Sequence, residues 1–175
     1  QIIKGDIYIN GKFVADPPLS LSEYDVFSNI AIDDFPVREA EWQTGRLEMR
    51  GDTFHYSVFL TSEQASEYRG RKPAVIAVRK ILSPYYEGDT SIIRACKDCE
   101  WTVDDFGPLK IPLPGEKIMV DSFNIKLYRN VPGINFGETT IKEPLYFVMG
   151  DNRHQSKDSR YVGYISHSKM YGVVK

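Results

Sequence analysis

Residues 6–12, DIYINGK, place the first constraint on the fold. Ile7 and Ile9 alternate with polar or amphipathic neighbours, and Asn10-Gly11 follows, the strongest short hairpin signal a sequence offers. The chain is therefore expected to open on a β-hairpin. With 175 residues, 42% apolar and 13% aromatic, it suits one domain with a smaller second lobe and can build a core. A net charge of −2, from 24 acids and 22 bases with no basic block, argues against nucleic acid as a partner. No window approaches ~18 uninterrupted apolar residues. The N-terminus, QIIKGDIYINGK, has neither a signal-peptide apolar region nor an initiator Met, so the sequence reads as a soluble piece of something longer.

Cys96 and Cys99 form a CxxC in RACKDCEW. Zinc would need two further ligands, and His55, His154 and His167 are scattered, so no metal or cofactor is expected. A thioredoxin-like CxxC opens a helix after a strand, whereas EWTVDDFGP reads as turn and loop. A local disulfide and two idle thiols both remain open, the choice depending on the compartment.

Residues 20–82 read as strand, short helix (REAEWQTG), strand, helix, strand, with Ser62 as N-cap and Gly70 as helix stop, closed by the loop SPYYEGD at 83–89. From 101 onward short strands and punctuation take over. Pro108, Pro112 and Pro114 lie where ladder N–H groups are not needed, and a strand is expected at Lys117–Val120. NIKLYRNV and LYFVMGD have the same short-strand character, the second apolar on both faces. A strand buried on both sides that breaks into a polar loop is a way to hold reactive groups rigidly.

That polar loop is GDNRHQSKDSRYVG, 150–163. Singly its residues mean little. Asp151-Asn152 is more often an ordinary turn, Asp158 with Arg160 a surface pair worth at most about 1 kcal/mol, and Ser156 a solvated hydroxyl. Together, Gly150, Asp151, Asn152, Arg153, Ser156, Asp158, Ser159, Arg160 and Gly163 closely resemble the last signature box of the type I signal peptidases, with nine positions in register. GYISHSKMYGVV resembles that family's closing strand region, and FGPLKIPLPGEKI a proline-rich segment of its enlarged members. The resemblance is strong over 101–175, fair over 1–20 and architectural over 20–100.

The resemblance implies a mainly β fold: a partly open sheet body (1–19 and 101–175) carrying an inserted small α+β lobe (20–100). It implies a membrane-tethered serine endopeptidase at the outer face of the cytoplasmic membrane that removes signal peptides, with a serine nucleophile and a neutral lysine base. A lysine with an ordinary pKa of about 10.4 must be desolvated and oriented to act as a base. By motif position Ser156 would hydrogen-bond that lysine, Asp158 and Arg160 would form a supporting ion pair, Asp151 and Asn152 would fix the turn, and Ser159 would add a local backbone bond. His154 falls at a variable position and is expected to be exposed and unimportant.

The family's serine box, like P-S-M-x-P-T-L, and its lysine box, K-R with apolar residues before P-G-D, do not occur in this sequence. Lys110 is a poor substitute: no Arg follows it, and it lies too close to Pro114-Gly115 and after the hairpin. The chain is thus expected to be the C-terminal portion of such an enzyme and inactive alone, with anchor, nucleophile and base upstream of Gln1. The implied partners are signal peptides of exported preproteins with small residues at the cut, the membrane through that anchor, and the export machinery. Two rival readings are a catalytically dead paralogue that binds peptides or partners, and a protein whose 20–100 lobe dominates as an interaction module.

Overall fold

A computed structural model describes residues 1–35, 46–82 and 91–172. The chain is mainly β. It divides into two compact units, one of Gln1–Ala15, Ser83–Gly150 and Ser156–Lys175, the other of Asp16–Leu82 and Asp151–Gln155.

The first unit opens on an antiparallel meander, β1 (Ile2–Ile3), β2 (Asp6–Ile9) and β3 (Lys12–Val14). Ile9 pairs with Lys12, so Asn10-Gly11 forms the expected two-residue turn. Both turn residues have positive φ, 50° and 76°, and so do Lys4 and Gly5 between β1 and β2, at 49° and 77°. Those are the mirror-image turns whose twist suits the flanking strands.

The second unit is a four-stranded antiparallel sheet in the order β5-β6-β4-β7, built from β4 (Ser22–Ser28), β5 (Arg46–Arg50), β6 (Thr53–Leu60) and β7 (Val75–Lys80). Along β4 every second residue is buried, and along β6 Tyr56, Val58 and Leu60 are, as period-two side chains on a half-buried sheet require. Tyr24 and Val26 of β4 and these three residues of β6 form one core with Ala65 and Tyr68 of α1 (Ser62–Gly70). The N-cap of α1 is Thr61, one residue before the expected Ser62. Thr61 Oγ1 accepts the Gln64 N–H (3.2 Å), and Gln64 Oε1 accepts the Thr61 N–H (2.9 Å). This reciprocal capping box needs Gln or Glu three residues on, and three residues after Ser62 stands Ala65. The helix ends at Gly70, as expected. The short helix expected over REAEWQTG and the loop 83–89 lie outside the described residues.

The rest of the first unit holds the β8–β9 hairpin (Lys117–Val120 and Gly137–Thr140), α2 (Ile125–Tyr128), the pair β10 (Leu145–Tyr146) with β11 (Ile165–Ser166), and α3 (Ser159–Val162). The strand at Lys117–Val120 falls where expected. NIKLYRNV does not form a strand. Asp121 Oδ1 accepts the N–H groups of Phe123 and Asn124, Asn124 Oδ1 accepts that of Asp121, and this turn launches α2 with adjacent Leu127 and Tyr128 both buried. LYFVMGD is not one continuous strand either. Only Leu145–Tyr146 is strand, and Val148 is 36% exposed, so the run is not buried on both faces. Cys96 and Cys99 are disulfide-bonded, which resolves the alternatives the sequence left open.

Tyr164 anchors this unit. It is fully buried beside Tyr128, and its hydroxyl donates to the Lys110 carbonyl at 2.7 Å. Burial, with Tyr128 adding to it, pushes the phenol well above its ordinary 10.0. A raised folded-state pKa favours the neutral form, so this contribution is complete below pH 10 and is lost as pH rises through the folded value. Tyr164→Phe is expected to cost about 1 kcal/mol at neutral pH through the lost hydrogen bond. It should also flatten part of the alkaline loss of stability, as read by urea unfolding on both sides of pH 10.

Candidate functional site

Beyond β10 the chain leaves its ladder, yet its backbone stays hydrogen-bonded. The Val148 N–H donates to Ser159 Oγ (2.9 Å), and the Val148 carbonyl accepts the Ser159 N–H (3.1 Å). The Gly150 N–H donates to Asp158 Oδ2 (3.0 Å). Residues 158–159 thus do for 148–150 what a neighbouring strand would do elsewhere, which explains why the apolar run needs no ladder.

Asp158 is the N-cap of α3, accepting the Arg160 N–H on Oδ1 at 3.1 Å. The Arg160 guanidinium grips the same carboxylate with two bonds, Nε to Oδ1 at 2.8 Å and Nη2 to Oδ2 at 2.6 Å. Arg160 is 1% exposed and Asp158 7%. Arg160 Nη1 also donates to the Val103 carbonyl (3.2 Å). A pair this buried, with its capacity met by fork geometry and backbone partners, differs in kind from a solvated surface pair. Ser156 is half-buried against Gly150, where a Cβ would overlap its Oγ and Cβ.

Gly163 closes α3 with φ +78°, and its N–H donates to the Ser159 carbonyl at 3.0 Å. A Cβ there would strike the Leu127 carbonyl and lie 2.8 Å from the Lys126 oxygen. Gly163→Ala is therefore expected to cost about 2–3 kcal/mol through overpacking and positive-φ strain, measurable as a lower urea midpoint.

Asp151–Gln155 belong to the second unit, tied to the segment that enters β4. The Asp151 carbonyl accepts the Leu21 N–H (2.7 Å), the Arg153 N–H donates to the Leu21 carbonyl (3.1 Å), and Leu21 and Asn152 form a parallel bridge. The Gln155 N–H closes the turn on the Asn152 carbonyl at 3.2 Å. Buried Arg153 donates through Nη2 to Asp16 Oδ1 (2.7 Å) and Ser20 Oγ (3.3 Å). His154, expected to be exposed, is 6% exposed, with Nδ1 3.9 Å from a Glu23 carboxylate oxygen. The bridge at Asn152 lays the next two residues along the chain entering β4, and both side chains are covered. Sequence reasoning missed Asp16, Ser20, Val103 and this role of Leu21, since no spacing signal joins Arg153 to residues 133–137 positions away.

Lys110 is exposed and paired with Glu116, whose carboxyl it holds below the usual glutamate range. Among the described residues no group of three His, Cys, Asp or Glu could hold a metal, and no helix is long and apolar enough to cross a membrane.

Residues 116–175 match the family model described as signal peptidase, peptidase S26. A probable signal peptidase I-2 of Synechocystis sp. is 30% identical over 71 residues, which are 35% of this chain and 33% of that protein. The chain thus spans about a third of the length of this curated relative. No solved structure matches.

Proposed function

Because through residues 116–175 the chain is a type I signal peptidase-like family member, we propose that it is the supporting part of a serine endopeptidase that removes signal peptides from exported proteins. The observation that carries this reading is the closed arrangement of Ser156 on Gly150 beside the buried Asp158–Arg160 pair, in the register of the family's last box. In the whole protein, a serine and a lysine outside these residues form the dyad. The serine attacks the scissile carbonyl and its proton passes to the neutral lysine and on to the leaving amine. Water then hydrolyses the acyl-enzyme. Substrate enters as an extended strand whose small alternate side chains fit shallow pockets. An anchor beyond these residues holds the enzyme at the outer face of the cytoplasmic membrane, near the export machinery.

Ser156 has a defined part in this reaction: its hydroxyl donates to the lysine amine and so favours the neutral base. Ser156→Ala in the whole protein, assayed on a peptide with an Ala-x-Ala cut, is expected to lower kcat with little change in KM. It should also move the pH at which cleavage switches on upward. Unchanged kcat and an unchanged pH profile would remove Ser156 from this role.

A further inference from the structure

The loop that carries the disulfide springs from two anchors on one residue, the backbone carbonyl and the guanidinium of Arg160. Before it, the buried Ile93 donates its N–H to the Arg160 carbonyl at 2.9 Å. After it, the buried Val103 accepts Arg160 Nη1 at 3.2 Å. Between these anchors Cys96 is exposed, Cys99 is half-buried, and three positions separate them. Arg94 and Lys97, both exposed, flank Cys96 with positive charge that favours a thiolate there, while the exposed acids Asp98 and Glu100 flank Cys99 and make Cys96 the better thiolate of the two.

We propose that Cys96–Cys99 is a thiol–disulfide exchange site for a dithiol partner, and that its redox state is coupled through Ile93 and Val103 to the Arg160–Asp158 support. This goes beyond the peptidase reading and stands without it. A thiolate of the partner attacks Sγ of Cys96, the more exposed of the two residues, and Cys99 leaves as thiolate. The partner's second thiolate then attacks its own sulfur in the mixed disulfide and releases Cys96. Two electrons pass from the partner, which ends as a disulfide, to the cysteine pair, which ends as two thiols carrying the partner's two protons. The closed ring limits the span the loop can take, and the two bonds to Arg160 hold its stems at that span. Opening the ring frees the stems, and loosening Arg160 in turn makes the ring easier to open, because coupling is reciprocal.

Both directions are measurable on the chain itself. Hydrogen exchange, compared between the oxidised chain and the chain reduced by dithiothreitol in native buffer, is expected to speed up about fivefold around Ile93, Val103 and 158–163, with β4 and β6 unchanged. This comparison needs no variant. Thiol trapping across mixtures of reduced and oxidised dithiothreitol is expected to shift the reduction midpoint about fivefold toward easier reduction in Arg160→Lys. Resistance of the disulfide to dithiothreitol in native buffer would overturn the exchange site. Unchanged exchange at 158–163, or an unshifted midpoint in folded Arg160→Lys, would overturn the coupling.

Discussion

Arg160→Met is expected to lower the stability of the chain by about 3–5 kcal/mol, the usual result of breaking a buried ion pair from one side. The substitution leaves the Asp158 carboxylate 7% exposed, with the N–H groups of Gly150 and residue 160 as its remaining donors here, and takes a donor from the Val103 carbonyl. Urea unfolding should show a lower midpoint at an unchanged slope. Asp158→Asn combined with Arg160→Met should recover part of the loss, since no buried charge then stands alone. A loss below about 1 kcal/mol would mean that the pair behaves as a solvated one.

Gly150→Ala should act on the site more than on the fold. Its Cβ overlaps Ser156 Oγ and Cβ, so the serine must move while the Asp158 cap on the Gly150 N–H can remain. Overpacking of this kind costs about 1–3 kcal/mol. A displacement near 1 Å at a positioned group is expected to lower cleavage by the whole protein about 100-fold. Adding Ser156→Gly restores the space, so stability should return while cleavage does not. Recovery of cleavage in that double variant would show that the serine hydroxyl is dispensable.

The parts of this fold that were legible in the sequence are those whose causes are local. Asn10-Gly11 needs only its own φ preferences to turn the hairpin, and the period-two pattern in TFHYSVFL marks β6 without outside help. The apolar run LYFVM misled because an uninterrupted run does not say what bonds its backbone, and here the partners are Ser159 and Asp158, reached through the turn. Within NIKLYRNV, Ile125–Tyr128 became helix because the Asp121–Asn124 turn decided the local geometry. The strand β5 was missed although Gly51-Asp52, with Gly51 at φ +62°, marks the hairpin that joins it to β6.

At the candidate site the motif made Ser156, Asp158 and Arg160 visible, but their environment was not. Buried Arg160 donates to Val103, 57 positions away, and buried Arg153 to Asp16, 137 positions away. His154 was misjudged because variability at a motif position says nothing of burial, and the Leu21–Asn152 bridge determines that.

On the proposed reading, these residues hold the support of a peptidase site while its nucleophile and base lie outside them. The direct measurement is cleavage of a peptide with an Ala-x-Ala cut by residues 1–175 alone and by the whole protein that contains them. No turnover is expected from the chain alone, and specific cleavage from the whole protein. Turnover by the purified chain would contradict that reading, and so would a whole protein that binds the peptide without cutting it.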